Sequence, residues 1–261
     1  MPLTNVLARF LARRSALRPS EVIDLDPPER LWAVGDVHGC VSLCRAIERR
    51  IADEALPVTI VWLGDLIDRG PDSRSVIEHM LAPPRQGISR HCLLGNHEDM
   101  ALRFLDAPLA NRDWLGFGGR ETLASYGVPA GAGEADPATL AERFREVLPA
   151  PHLAFLRSRP VMIRAGRHVL THAGAAAETP LVRQTRADLI WPRHAAIPDL
   201  VPPVDLGGRI VVHGHVPVAI PRAEGWRINV DTGAFATGRL SAVRLSEAEA
   251  PRFLTVEGPP A

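Results

Sequence analysis

Lysine is absent from this chain, so all 30 of its basic residues are arginine. The absence excludes catalysis through a lysine Schiff base and phosphate binding through the lysine of a P-loop or a protein kinase. The acidic residues also number 30, which makes the formal net charge zero. Without a charge excess the sequence predicts no nucleic-acid partner, and any anion must be bound by a local site.

Cysteines and long apolar runs are also scarce. Cys40, Cys44 and Cys92 are the three cysteines, and an odd number cannot pair completely, which favours a reducing, cytoplasmic location. Cys40 and Cys44 are four residues apart on a predicted helix, where they could approach a metal or pack as buried thiols; we favour buried thiols. No apolar run reaches the length of a membrane span, so no stable membrane insertion is expected.

Residues 1–28 are predicted to be an N-terminal extension. The first part of this segment carries Arg9, Arg13, Arg14 and Arg18 among apolar residues and contains no acidic residue up to position 20. Such a segment is either a flexible extension, the interpretation that we favour, or a basic amphipathic helix that contacts a membrane surface or a partner.

Residues 29–261 are predicted to form one domain in which strands alternate with helices. Strands are predicted at 31–34, 58–63, 91–94, 161–164, 168–171, 210–212, 226–230 and 240–245. Helices are predicted at 41–55, at 73–81 and from about 98 to 105. Residues 106–160 show only weak helical patterns and are predicted to be a helical insertion at the rim of a site. We therefore expect an α/β fold with a mixed or layered sheet flanked by helices.

Five short motifs carry the chemistry of the chain. They are Gly35-Asp36-Val37-His38-Gly39, Gly64-Asp65-Leu66-Ile67-Asp68-Arg69-Gly70, Gly95-Asn96-His97-Glu98, His172-Ala173-Gly174 and Gly214-His215. The first four close apolar stretches, so their side chains should emerge where strands end, which is where α/β sheets place active sites.

The motifs supply six candidate metal ligands. They are Asp36, His38, Asp65, Asn96, His172 and His215. Carboxylate, amide and imidazole donors suit manganese, iron or zinc better than an ion that prefers thiolates. Each residue alone could be a helix cap or a packing residue, but capping does not require imidazoles and an amide at successive strand ends. Six donors exceed one tetrahedral shell, so the sequence predicts two metals.

In this order, the motifs resemble the metal-dependent phosphoprotein phosphatase (serine/threonine type) family of the calcineurin-like metallophosphoesterases, and its compact bacterial branch in particular. The resemblance covers about residues 30–245. It implies the calcineurin-like fold, a mixed β-sandwich with helices on its outer faces. It also implies a binuclear centre, expected to hold manganese, in which Asp36 and His38 bind one ion, Asp65 bridges both, and Asn96, His172 and His215 bind the other.

The same resemblance implies an in-line attack on phosphorus by a metal-bridging hydroxide. Arg69 matches the family's phosphate-binding arginine, and Arg193 resembles a second one. His97 stands at the position of the general acid, and Asp68 at that of the carboxylate that orients it.

The motifs leave three functions open. The main prediction is a serine/threonine protein phosphatase acting on phosphoproteins or small phosphoesters, because Glu98 rather than aspartate follows the third-motif histidine. The alternative is a symmetric diadenosine tetraphosphate hydrolase, which shares the strings at 35–40 and 68–73 and could use Trp114, Phe117 and Tyr126 to stack bases. The third is a non-catalytic binding module, which predicts at least one broken ligand position, and none is broken.

Overall fold

The computed structural model describes residues 17–131, 136–177, 179–191 and 201–261. In chain order the strands are β1 (Val22–Leu25), β2 (Leu31–Val34), β3 (Val58–Trp62), β4 (Ile88–Cys92), β5 (Met162–Ala165), β6 (His168–Thr171), β7 (Ile210–His213), β8 (Arg222–Glu224), β9 (Arg227–Asn229), β10 (Arg239–Leu245) and β11 (Arg252–Glu257). The α-helices are α1 (Val41–Glu54), α2 (Ser73–Leu81), α3 (Asn96–Asp106), α4 (Gly119–Ser125), α5 (Pro137–Val147), α6 (Ala150–Arg157), α7 (Arg186–Ile190) and α8 (Ala234–Thr237). Short 3₁₀ helices cover Pro19–Glu21, Arg112–Phe117 and Leu181–Arg183.

These strands form two mixed sheets. The first has the order β11-β10-β2-β3-β4, in which β2, β3 and β4 are parallel and β10 runs antiparallel to β2. The second has the order β1-β5-β6-β7-β9-β8 and contains both parallel and antiparallel pairs. The predicted mixed β-sandwich flanked by helices is confirmed.

The two faces of β2 show how the sheets pack. Leu31 and Ala33 belong to an apolar cluster drawn from both sheets, which is the interior of the sandwich. Trp32 and Val34 alternate with them and belong to a second cluster, shared with the helices. Successive side chains of a strand project to opposite faces, and both faces of β2 are covered. All four residues are therefore buried, and the sequence of the strand is a continuous apolar run.

Helix α1 covers the outer face of the first sheet with an apolar stripe. Leu43, Ile47 and Ile51 recur at helical spacing and are buried in the cluster that contains the outer face of β2. Cys44 lies on the same buried face, and the three cysteines are all free and buried. The thiols therefore pack as small apolar groups.

Some elements differ from the sequence-based expectation. Val22–Leu25, placed by the sequence analysis in the N-terminal extension, is strand β1 and pairs with β5 in parallel. The strand expected at 91–94 is β4, Ile88–Cys92, because its register is set by pairing along β3 from Val58↔Ile88 to Trp62↔Cys92. Residues 1–16, which hold most of the basic segment, lie outside the described residues.

The stretch predicted to be a helical insertion contains the 3₁₀ helix Arg112–Phe117 and helices α4, α5 and α6, and no strand in the part that the structure describes. Trp114 packs between the insertion and the rest of the domain, since the centre of its ring lies 4.9 Å from that of Phe104 on α3 and 6.1 Å from that of Phe144 on α5. Across the described ranges of the chain, every helix is too short or too polar to cross a membrane.

Candidate metal centre and active site

All six candidate ligands lie on loops that leave one edge of the sandwich. Asp36 and His38 follow β2, Asp65 follows β3, and Asn96 begins α3 after β4. His172 and His215 follow β6 and β7 of the other sheet. Backbone bonds join these loops, from His38 N–H to the Asp65 carbonyl (2.9 Å) and from Gly214 N–H to the His172 carbonyl (2.8 Å). The two sheets therefore bring distant parts of the chain together.

One group of donors surrounds the Nε2 atom of His172. This nitrogen lies 2.8 Å from Asn96 Oδ1, 2.9 Å from His215 Nδ1 and 3.3 Å from Asp65 Oδ2. The other ring nitrogen, Nδ1, lies 3.0 Å from the Leu63 carbonyl. A carbonyl only accepts, so Nδ1 carries a proton, and Nε2 is the nitrogen that faces Asn96, His215 and Asp65.

A second group shares Asp65 with the first. Asp65 Oδ2 lies 3.6 Å from His38 Nε2 and 3.9 Å from His97 Nε2. His38 Nδ1 donates to the Ile67 carbonyl at 2.9 Å, which leaves Nε2 as a lone-pair donor. In the described chain, His38, Asp65 and His97 form one triad able to hold an ion, and Asp65, His172 and His215 form the other.

Asp36 lies beside His215. It belongs to neither triad, and both of its carboxylate oxygens accept from the His215 N–H at 3.1 Å. This bond keeps Asp36 next to the group that contains His172 and His215. Asp36, Asp65 and His215 therefore share one region, and His97 lies with His38 and Asp65.

The charges of this region fit a divalent cation. Burial lowers the pKa of His172, but the charge of Asp65 and a hydrogen bond to it overcome burial and raise the pKa to about 9. Burial raises the pKa of Asp65, whereas His172 and His97 pull it well below its ordinary value. The negative charge of Asp65 therefore favours a positive charge at His172 Nε2, which a bound divalent cation would supply in place of the proton.

A third buried carboxylate, Asp231, lies beside the centre and was missed by the sequence analysis. Burial raises the pKa of Asp36 well above its ordinary value, and the negative charge of Asp231 raises it further. Asp231 Oδ1 accepts from the Gly233 N–H at 2.8 Å. The available signal was its position, two residues after the end of β9 and two before Gly233.

Unfavourable backbone conformations are concentrated at this site. Non-glycine residues with φ in the left-handed region are, among the described residues, His38, Asp65, Asp68, Arg69 and His215. All five are candidate site residues from the sequence. Each such conformation costs about 1–3 kcal/mol and persists only where surrounding structure enforces it, which is typical of functional sites. Gly95 and Gly214 make room for the loops, since a Cβ atom at either position would collide with the carboxylate of Asp65 or of Asp36.

The carboxylate of Glu98 anchors the loop that carries Asp65. Its Oε1 accepts from the N–H groups of Leu66 (2.7 Å) and Ile67 (3.2 Å). Its Oε2 accepts from the N–H groups of Asp65 (3.0 Å) and Gly95 (2.8 Å). Glu98 is thus a structural residue that holds two ligand-bearing loops together.

His97 is held by the predicted partner, Asp68. His97 Nδ1 lies 2.7 Å from Asp68 Oδ2, which leaves His97 Nε2 facing the metal-binding residues. The same carboxylate accepts from the Trp114 indole (2.8 Å) and from the Thr122 hydroxyl (2.6 Å), two contacts that the sequence did not predict. Burial raises the pKa of Asp68, and these two hydrogen bonds oppose the rise.

Arg69 lies beside the triad of His38, Asp65 and His97. Its Nη1 is 3.0 Å from His38 Nε2, and its guanidinium carbon lies 5.0 Å from the centre of the Phe235 ring. The guanidinium is therefore close enough to the metal-binding residues to contact a phosphoryl group there. Arg193, the other predicted phosphate-binding residue, lies outside the described residues.

The suggested stacking role of two aromatic residues is wrong. Trp114 is 1% exposed and Tyr126 is 4% exposed, so neither offers a ring face to a base. The Tyr126 hydroxyl lies 2.8 Å from His152 Nδ1 inside the insertion. Phe117 packs against the core and is partly buried.

Sequence and structure comparisons agree with this architecture. A family model described as calcineurin-like phosphoesterase matches residues 29–231, so the chain belongs to the calcineurin-like phosphoesterase family. This is a family of metal-dependent hydrolases with two metal ions, and the candidate ligands above fit that chemistry.

The curated relatives point to a particular branch of the family. The chain is 25% identical over 244 residues to the bis(5'-nucleosyl)-tetraphosphatase PrpE [asymmetrical] of Geobacillus thermodenitrificans (strain NG80-2), with 82% of this chain and 89% of the relative covered. It is 25% identical over 246 residues to the protein of the same name from Bacillus subtilis (strain 168), with 83% and 91% covered. A solved structure of a candidate diadenosine tetraphosphatase has a TM-score of 0.63 at 23% identity and covers 91% of this chain and 98% of its own.

These relatives overturn the main functional prediction. They carry the name of nucleosyl tetraphosphatases, not of serine/threonine protein phosphatases, and favour the alternative class over the main one. A yeast serine/threonine phosphatase structure is also similar, but its TM-score of 0.52 at 12% identity shows only a common fold. The main prediction was wrong because it used Glu98 as a marker of the substrate. The carboxylate of Glu98 accepts hydrogen bonds from backbone N–H groups of the ligand-bearing loops, so its presence indicates how these loops are held and not which substrate is bound.

Proposed function

We propose that this protein is a metal-dependent hydrolase of dinucleoside polyphosphates. The observation that carries the proposal is the pair of donor triads that share Asp65, with the Arg69 guanidinium 3.0 Å from His38 Nε2 beside them. The substrate class is supported by relatives over four fifths of the chain. Their names also favour asymmetrical cleavage, whereas the sequence analysis had considered the symmetrical type.

The proposed metal ligands are the six residues predicted from the sequence, and His97 lies next to them as the proton donor. Asp65 serves both ions, His38 with Asp36 completes one site, and Asn96, His172 and His215 complete the other. Manganese is the proposed metal, with iron and zinc as alternatives that the same donors accept. When bound, the two ions supply Lewis-acid charge and an activated water nucleophile.

The residues of the chain supply binding and orientation. Arg69 presents a guanidinium fork that neutralises the phosphoryl oxygens, whose charge grows as the bond to the leaving group breaks. His97 Nε2 lies on the side of the metal-binding residues, and in its imidazolium form it would donate the Nε2 proton to the leaving oxygen while Nδ1 keeps its proton on Asp68. Arg193 is proposed as a second phosphate contact on the basis of the sequence alone.

The leaving group decides how much His97 contributes. A nucleotide leaves as a phosphate, whose second pKa is about 6, so at neutral pH it needs little protonation. A phenolate or an alkoxide is a much stronger base and needs a proton donor. His97→Asn should therefore cost much less activity on diadenosine tetraphosphate than on phenyl phosphate.

The test is hydrolysis of diadenosine tetraphosphate by purified protein with added manganese, followed by separation of the nucleotides. Asymmetrical cleavage yields ATP and AMP, and symmetrical cleavage yields two ADP. We expect ATP and AMP, loss of activity after chelation, and recovery when the metal is restored. Full activity in metal-stripped buffer, or turnover of aryl phosphates without any turnover of the dinucleotide, would contradict the proposal.

A further inference from the structure

We infer that Trp114 and Thr122, both from the helical insertion, are positioning residues that lock the Asp68 carboxylate and thereby aim His97 at the leaving group. The inference rests on the role proposed above for His97. It assigns a function to an insertion whose sequence shows only weak helical patterns.

The carboxylate of Asp68 has three side-chain donors and no freedom to turn. His97 Nδ1 and Trp114 Nε1 both approach Oδ2, at 2.7 and 2.8 Å, while the Thr122 hydroxyl donates to Oδ1 at 2.6 Å. Asp68 is completely buried, so no solvent replaces a donor that is lost. Rotation of the carboxylate breaks at least two of these bonds at once, because the donors approach different oxygens.

The hydroxyl of Thr122 has its own support. Its oxygen accepts from the Asp68 N–H at 3.0 Å and lies 2.9 Å from Ser73 Oγ, which also accepts from the Asp68 N–H at 2.9 Å. Since the Thr122 proton points at Asp68 Oδ1, Ser73 must donate to Thr122. These bonds also hold the left-handed backbone of Asp68, whose φ is 73°.

Two separate elements of the insertion reach the carboxylate. Trp114 lies in the 3₁₀ helix Arg112–Phe117 and Thr122 lies in α4, and Gly118 joins them. Gly118 also accepts a backbone hydrogen bond from Arg69 at 3.3 Å, and a Cβ atom at this position would collide with the Arg69 backbone. The insertion therefore contacts Asp68 and the phosphate-binding arginine at one junction.

The chain offers a matched control for Trp114. Trp62 on β3 is also buried, with 0% exposure against 1% for Trp114. Among the residues that the structure describes, none is a hydrogen-bond partner of the Trp62 indole nitrogen. Trp→Phe at either position thus replaces a buried indole by the same smaller ring, but only Trp114→Phe removes a hydrogen bond to Asp68.

The experiment compares kcat/KM on phenyl phosphate and on p-nitrophenyl phosphate, with manganese-loaded protein. Phenolate is a base of pKa about 10, like the tyrosine side chain, and p-nitrophenolate is far less basic. We expect Trp114→Phe to lose about 10- to 100-fold on phenyl phosphate, the range for residues that orient a functional group. The loss on p-nitrophenyl phosphate should be several-fold smaller, and Trp62→Phe should affect the two substrates equally.

Thr122 supplies an independent pair of variants. Thr122→Val keeps the shape and removes the hydroxyl, whereas Thr122→Ser keeps the hydroxyl and restores the bond. We expect the substrate-dependent loss in Thr122→Val and its recovery in Thr122→Ser. An equal loss on both esters in Trp114→Phe and Thr122→Val, or no loss in either, would overturn the inference.

A measurement without catalysis tests the same contact if the wild-type protein hydrolyses neither ester. The chain has five tryptophans, so the indole N–H region of a nitrogen-15 NMR spectrum is simple to assign. Asp68→Asn should move the Trp114 indole signal and leave that of Trp62 in place. Unchanged Trp114 signals would overturn the inference, whereas the dinucleotide assay alone decides the proposed function.

Discussion

Replacing Glu98 by glutamine is the sharpest test of how the metal-binding loops are held. The carboxylate accepts four backbone N–H bonds, two at each oxygen. An amide keeps one acceptor oxygen and turns the other into an NH₂ group, so two buried N–H donors lose their partner and face another donor. The substitution leaves the volume of the side chain nearly unchanged, which isolates the effect of hydrogen bonding.

The size of the effect follows from those two lost bonds. A buried polar group left without a partner costs about 1–3 kcal/mol, so Glu98→Gln should lower the free energy of unfolding by about 2–6 kcal/mol. For a protein of this size each kcal/mol lowers Tm by about 2–4 °C, so the middle of that range corresponds to about 8–16 °C. The affinity for metal should fall too, because the N–H of Asp65 itself is one of the four donors.

The assay is thermal and urea-induced unfolding at pH 8, with and without manganese. Burial and the charge of Asp65 raise the pKa of Glu98 to about 7, so the wild-type side chain is ionised at that pH. Glu78→Gln is the control, because Glu78 pairs with Arg74 at 2.9 Å on the surface, where both side chains are nearly half exposed, and such pairs contribute at most about 1 kcal/mol. If Glu98→Gln is as stable as Glu78→Gln and binds metal equally well, the anchoring role is refuted.

Two further predictions concern the outer face of the first sheet. The side chain of Arg90 is 6% exposed and contacts both α1 and α2, where it donates to both oxygens of Glu48 at 2.9 and 2.7 Å and to the His79 carbonyl at 2.8 Å. Arg90→Met should lower the free energy of unfolding in urea by about 3–5 kcal/mol, because Glu48 loses its main partner. A loss below about 1 kcal/mol would contradict this. Burial raises the pKa of the Cys40 thiol to about 11 and that of the Cys92 thiol to about 12. At pH 8 a disulfide reagent should therefore label the three cysteines only after unfolding. Rapid labelling of the native protein would contradict this.

The candidate ligands were predictable because their signal is local. Each one lies within two residues of a glycine near the end of an apolar strand-like run, and an edge of parallel strands collects such residues whatever lies between them. The same local logic predicted α1 and the parallel strands β2 and β3. It placed β4 three residues too late at its start and two too late at its end, since the register of a strand depends on its neighbour and not on its own apolar run.

Other features depended on partners far away in the chain. Glu98 read as a marker of substrate class, yet it binds N–H groups more than 30 residues earlier as well as its own loop. Trp114 read as a stacking platform, yet its indole donates to a carboxylate 46 residues away. Side-chain type alone does not distinguish these roles, because it does not show whether a ring or a carboxylate faces solvent or is buried.

The amino-acid sequence by itself determined the motifs that predict the donor set, the order of the strands that carry them and hence the family chemistry. Only the tertiary structure decided that His97 lies with His38 and Asp65, that Asp231 lies beside Asp36, and that the insertion contacts Asp68. The reason is physical: donor chemistry and strand patterning belong to single residues and short segments. Burial, orientation and hydrogen-bond partners exist only once segments dozens of residues apart are in contact.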